Sequence, residues 1–204
     1  MTVEPVVGDT RETAILDAAA RLIAERGYHA VRIADIAQAV GSSTGAVHYY
    51  FPGKDDVLTL ALQHGAHRAF ERQSDELRKI KSGYERLLRL IDMQLPKLGQ
   101  VRDEWTIWMQ YWAEATIRPE LRRSHNELYA RWRETVARTV KRGQKQGEFR
   151  AGADPDLVAI QLTALTDGLA IQVLTGAPDC TVSTMREVLV AYVQSNLLSP
   201  PHAS

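Results

Sequence analysis

The sequence predicts an all-α protein of about nine helices, with an N-terminal three-helix helix-turn-helix domain followed by a larger helical bundle. Three observations lead there. Apolar residues recur at i, i+3, i+4 spacing along most of the 204 residues. No segment alternates with the two-residue period of a strand. Helix stops and starts fall between the periodic stretches, at Gly27, Gly41, Pro52-Gly53, Gly83, Pro119, Gly147 and Asp154-Pro155.

The elements follow in order. Residues 1–8 read as a loose tail. Asp9 or Thr10 can cap a first helix that runs to about Arg26, with Ile15, Ala18, Ala19, Leu22 and Ile23 on one face. A second helix places Ala34, Ile36, Ala37 and Val40 on its apolar side. Gly41 suits the left-handed turn that ends it, and Ser42 and Ser43 can cap the third, at about Thr44–Tyr49. After Pro52-Gly53 a fourth helix is expected from Lys54 to about Ile80, carrying Val57, Leu58, Ala61, Leu62 and Phe70. A fifth follows Gly83 with Leu87, Leu88, Ile91 and Leu95. The sixth is Val101–Ile117. The seventh begins at Pro119 and ends at Gly147. The eighth, Pro155–Thr175, has a face of Leu157, Ile160, Ala164, Leu165, Leu169 and Val173. The ninth is Val182–Leu198, and SPPHAS reads as a frayed end.

Composition narrows the class. A hydrophobic content of 45% with 25% charged residues is that of a globular protein. The N-terminus lacks a basic-then-apolar signal layout, and no apolar run is expected to reach bilayer length. The lone Cys180 excludes an internal disulfide and fits a reducing cytoplasm. Net charge is zero. Through Asp55, acids outnumber Arg11, Arg21, Arg26, Arg32 and Lys54, which argues against strong nonspecific nucleic-acid binding but leaves specific binding open.

The most informative stretch is IADIAQAVGSSTGAVHYYFPGKDDVL, residues 33–58. A short helix with a small, polar start can approach a DNA groove closely. Ser43 and Thr44 offer hydroxyls and nearby amides to a phosphate or base edge, and Gly45 lets the backbone come close. His48, Tyr49 and Tyr50 carry rings with hydrogen-bonding groups. Lys54 and Arg32 head neighbouring helices as phosphate anchors. One of Tyr49 and Tyr50 is expected to pack inside, with Phe51 in the core. A helical corner that never meets DNA is the plain alternative, equal in weight on these features alone.

The spacing of Ile36-Ala37, Gly41, Ser43, Gly45, Phe51, Lys54 and Leu58 resembles the DNA-binding signature of TetR-type bacterial repressors. Arg32 stands where that pattern has Thr, and His48 where it has Tyr. The turn reads Val40-Gly41-Ser42-Ser43. His48-Tyr49, together with Leu165-Thr166-Asp167-Gly168-Leu169, is similar to the BetI-like branch. The nine-helix layout is also that family's. The resemblance implies a DNA-binding domain at 1–53 and a ligand-binding and dimerisation domain at 54–204. It also implies a homodimer on a palindromic double-stranded operator and a small-molecule effector bound among the middle and late helices.

Trp105, Trp108 and Trp112 share one helical face at i, i+3, i+7. They serve equally as core or as the wall of a small-molecule pocket, with Met93, Gln94, Met109, Tyr129 and Trp132 as co-liners. The tryptophans favour an apolar or aromatic effector, with a cation over indole as the other option. Asp167 and Gln172 interrupt an apolar helix, and Asp167 is expected to be solvated or at an interface ahead of a buried polar partner or ligand contact. Gly168 permits close helix approach. The basic run Arg131–Lys145 reads as a solvated face ahead of a second nucleic-acid surface. Leu165, Leu169, Leu189, Tyr192 and Val193 are expected to form a four-helix dimer interface. His64 and His67 alone make no zinc site, and no phosphate loop, nucleophile elbow or cofactor motif stands out. A DNA-binding regulator and not an enzyme is therefore the reading. A ligand-binding protein or enzyme with a vestigial helix-turn-helix is the alternative.

Overall fold

A computed structural model describes residues 10–198, and the expected tails and the Asp9 cap lie outside them. The described residues hold nine α-helices and no strand: α1 (Thr10–Arg26), α2 (Ile33–Ala39), α3 (Thr44–Tyr50), α4 (Lys54–Arg78), α5 (Gly83–Gln94), α6 (Gln100–Ile117), α7 (Pro119–Lys145), α8 (Pro155–Thr175) and α9 (Val182–Leu197). The chain divides into two compact units. The first holds residues 10–69 and 106–124, and the second 70–105 and 125–198.

The first unit is thus larger than residues 1–53. Val57, Leu58, Ala61 and Leu62, at the start of α4, are fully buried, as are Ile23, Ile36, Val47 and Phe51 of the same unit. Each of these side chains except that of Ala61 contributes roughly 1.5–3 kcal/mol by leaving water. The later part of α6 belongs to the same unit. Gln110 Oε1 accepts from the Tyr28 N–H at 3.2 Å. Glu114 is 3% exposed, and its carboxylate meets Arg118 at 2.9 Å and His29 at 3.0 Å. The Arg118 guanidinium in turn lies over the Tyr28 ring at 5.3 Å. A carboxylate this deep is tolerable because the Arg118 cation and the His29 ring nitrogen meet it.

In the second unit α9 packs on α8 and on α5. Gly83 and Gly143 allow α5 and α7 to approach. A Cβ at Gly83 would lie 2.5 Å from the Gly143 backbone, and one at Gly143 would lie 2.2 Å from the Phe149 ring. Asp154 caps α8 by accepting from the Asp156 N–H at 2.9 Å, with Pro155 in the first turn.

α8 corrects one expectation. Its 21 residues are long and apolar enough to cross a membrane by length and composition. The reason is that both sides of the helix are apolar. Val158, Ala159, Leu162 and Ala170 are buried, whereas Leu157, Ile160 and Ile171 are exposed. α9 corrects a second. Leu189 and Val193 are 0% exposed, so they fill the core of their own chain and leave no surface for a partner. Leu165, Leu169 and Tyr192 are half-buried, and the Tyr192 hydroxyl donates to Gln161. Gly168 is exposed, and a Cβ there would meet nothing within 4 Å.

Candidate functional site

The corner between α2 and α3 is built from backbone chemistry. Asp35 Oδ2 accepts from the Arg32 N–H at 2.9 Å and starts α2. This is half a capping box, since the Arg32 guanidinium has no acceptor to complete it. α2 ends in a Schellman turn: the Ser42 N–H reaches the Ala37 carbonyl at 2.8 Å, and the Gly41 N–H reaches Gln38 at 3.1 Å. Gly41 sits at φ +62, which the absence of a Cβ permits without strain. Arg11 ties α1 to this turn by donating to Ser42 Oγ at 3.1 Å. Ser43 Oγ then caps α3, accepting from the Ala46 N–H at 3.2 Å.

That geometry sorts the candidate DNA contacts. Ser43 is engaged as a cap, leaving its O–H to donate outward. Thr44, Gly45, His48 and Tyr49 are all exposed, Tyr49 at 84%. An aromatic ring so bare is unusual away from a binding surface. Tyr50 is half-buried, with its ring edge-on to Tyr49 at 5.1 Å, and Phe51 is core at 1% exposure. Val47 is the residue of α3 that anchors it inward. Lys54 Nζ donates to the His29 carbonyl at 2.9 Å, and two of its three protons remain for a phosphate. Arg32 is exposed at the head of α2.

The candidate ligand residues fall in both units. In the first unit Trp108 stacks on the buried Tyr111 ring at 5.7 Å, and Met109 and Trp112 are half-buried. In the second unit Trp105 is 4% exposed, and its indole N–H donates to the Gln94 carbonyl at 2.7 Å. Met93 is buried too. Trp105 is therefore a satisfied core side chain. Trp132 lies elsewhere in that unit, on the wall of a cavity of about 300 Å³.

Tyr129 leads to a cluster the sequence did not reveal. Its hydroxyl donates to Asp167 Oδ2 at 2.6 Å, its ring lies 4.6 Å from that of His125, and the Arg133 guanidinium is 5.7 Å from its centroid. Burial pushes the Asp167 carboxyl up to about 6, while the Tyr129 hydrogen bond and the Arg133 charge pull it down. Burial also holds His125 below the ordinary imidazole value. The expectation of a solvated Asp167 is thereby corrected: it is half-buried and bonded to Tyr129. The two helices meet across 38 residues of chain, and no local pattern announces such a contact.

With this geometry in view, the comparisons with known proteins decide the family. Residues 15–61 match the model of bacterial regulatory proteins of the tetR family, and residues 83–198 match that of the BetI-type transcriptional repressor C-terminal domain. The chain belongs to the TetR family. It is a ligand-responsive, DNA-binding transcriptional repressor by that membership. A transcriptional regulator from Saccharomonospora viridis, solved in complex with choline, is 47% identical. The alignment covers 93% of this chain and 98% of that one, with a TM-score of 0.88. The HTH-type regulator PksA of Bacillus subtilis is 24% identical over 92% of this chain and 90% of its own length. The HTH-type regulator BetI of Brucella canis is 24% identical over 95% and 94%. This TetR-family chain therefore matches its relatives along nearly their whole length.

Proposed function

We propose that this repressor acts as a homodimer on two-fold symmetric double-stranded DNA and is released by a small cation of the quaternary ammonium class. One observation carries the effector class: a half-buried carboxylate, Asp167, is bonded to Tyr129, whose ring lies against that of His125, in a chain 47% identical to a regulator solved with choline. Aromatic faces and a carboxylate are what hold a quaternary cation. Arg133 already lies over the Tyr129 ring. A choline-like ligand takes that place, and the change in Arg133 is then the differential contact through which the ligand prefers one conformation. A ligand without such a preference shifts nothing.

The DNA half rests on the bare side of α3, with Thr44, Gly45, His48 and Tyr49 as contacts, Ser43, Tyr50, Lys54 and Arg32 as supports. A lone corner of this size contacts little DNA. Two copies double it and set half-sites one turn apart, roughly 34–36 Å, or a multiple of that. The apolar stripe of α8 (Leu157, Ile160, Ala164, Gly168, Ile171), with Val188 and Tyr192 of α9, is the surface we assign to the second copy. That pairing also accounts for the membrane-like composition of α8. In this reading the protein works in the cytoplasm and catalyses nothing.

Fluorescence anisotropy with a palindromic fragment from beside its own coding region tests both halves. Salt-dependent binding that choline reverses is expected. If no fragment binds at low salt, with or without choline, the DNA reading fails. If DNA binds and choline neither binds nor releases it, the effector class is wrong. Protonation supplies a finer check. Below about pH 6 the Asp167 carboxyl is neutral, so choline affinity should fall about tenfold per pH unit there. The folded value lies above the ordinary 3.8, so Asp167 favours the fold below about pH 4 and loses that contribution as pH rises through about 6. Asp167→Asn should therefore raise stability at pH 7 by on the order of 2 kcal/mol while abolishing choline binding.

A further inference from the structure

On α7, Arg131, Thr135, Arg138 and Arg142 fall at i, i+4, i+7 and i+11, on a single helix face. Arg131, Arg138 and Arg142 are exposed and Thr135 is half-buried, and together they form the outer wall of the 300 Å³ cavity, whose other walls come from α4 and α5 of the second unit. Arg78 and Arg86 bring the guanidinium count to five, and no Asp or Glu lines the cavity. Two of the five have carboxylate partners, Arg138 with Glu134 at 2.9 Å and Arg78 with Asp75 at 3.0 Å. Arg142 donates to the Lys81 carbonyl at 2.7 Å and helps hold the Glu148 carboxyl below its usual range.

Among the described residues no carboxylate forms an ion pair with Arg86 or Arg131. Arg86 reaches only the Ile80 carbonyl, at 3.3 Å, and its Nε is buried without a hydrogen-bond partner. Burial, and then the charges of Arg142 and Arg138, hold Arg86 below the ordinary guanidinium value. Arg131 lies over the Phe70 ring at 5.4 Å. The remaining wall is apolar, with Leu77 at 3% and Leu90 at 1% exposure beside Phe70 and Trp132.

We propose that this cavity binds a small amphiphilic oxyanion, a phosphate or carboxylate head group on an apolar body. Guanidiniums offer paired N–H donors that match two oxygens of such a head group. The buried Arg86 Nε gains the acceptor it lacks, and mutual repulsion among the arginines is relieved. Phe70, Leu77, Leu90 and Trp132 take the chain. The volume stands at the lower end of small-molecule sites, so a medium-length body fits where a long one does not. The site is separate from Asp167 and Tyr129, neither of which lines it, and its charge excludes choline. It therefore stands whether or not the cation reading does.

Isothermal titration of the full chain with dodecyl phosphate, dodecanoate, inorganic phosphate and dodecanol tests it. The two amphiphiles should bind saturably below their micelle concentrations, and the stronger of them names the head group. Inorganic phosphate and dodecanol should each bind at least about tenfold more weakly, since each lacks half of the recognition. Arg131→Gln should weaken the amphiphiles about tenfold, a loss that a hydrogen bond to a charged group supports. Arg131→Lys should fall between, and choline titration should be the same in all three proteins. Equal amphiphile binding by wild type and Arg131→Gln, with both folded by circular dichroism, overturns the proposal. So does inorganic phosphate binding as tightly as dodecyl phosphate, or a random DNA duplex whose binding drops in Arg131→Gln, which would make the face a nucleic-acid surface.

Discussion

α3 and α8 each present a face left exposed among the described residues, and the two faces are opposite in kind. α3 has seven residues, held by a Schellman turn before it, the Ser43 cap at its start and Val47 beneath it. What it shows outward is small, hydroxylated or ring-bearing. α8 has 21 residues and shows Leu157, Ile160 and Ile171. A polyanion needs donors at close range, which the first face supplies. A second protein surface needs apolar area, which the second supplies. The contrast shows that exposure carries meaning only with chemistry attached. A bare Tyr and a bare Ile call for different partners.

The largest effect is expected at α8. Ile160→Asp places a charge on the stripe and should yield monomers by size-exclusion chromatography. Operator affinity should then drop by about 10²–10⁴, the scale of lost two-site binding, although no DNA contact was touched. Unchanged affinity would mean the stripe is not what joins two copies. Tyr49→Ala comes next, with an expected loss of about tenfold or more in operator binding and no change in the dimer. Gly45→Ala should act like Tyr49→Ala but more weakly. Its Cβ would find only Ser43 Oγ, at 3.8 Å, so the fold accepts it and the DNA backbone is what it obstructs. The smallest effect is expected at Gly168→Ala. In the single chain its Cβ meets nothing, and helix propensity should gain up to about 1 kcal/mol. A net loss of dimer stability measured by dilution would instead show that a partner helix packs on Gly168.

Much of this was legible before any coordinates. The α2–α3 corner is specified locally: Gly41, Ser43 and the small start of α3 act within a few residues of themselves. Helix boundaries came from the same short-range signals. The ligand residues were harder, because a tryptophan stripe states which side chains share a face but not what that face meets. Trp105 turned out satisfied by the Gln94 carbonyl. The Tyr129–Asp167 contact joins two helices far apart in the chain, and the sequence of α9, apolar on more than one side, does not say which side Leu189 and Val193 bury. The arginine cavity did leave a trace. Arg131, Arg138 and Arg142 keep helical phase with Thr135, a regularity that interspersed acids obscured.

The Glu114 cluster carries a consequence for grafting. Residues 106–124 complete the unit that bears α3, through Gln110 beneath Tyr28 and Glu114 between His29 and Arg118. The DNA-reading part of this repressor is thus discontinuous in sequence. A chimera made by transplanting the first fifty or so residues onto another regulator carries the motif away from its floor, and Tyr28 arrives without the side chains that hold it. A portable version has to take two pieces of chain.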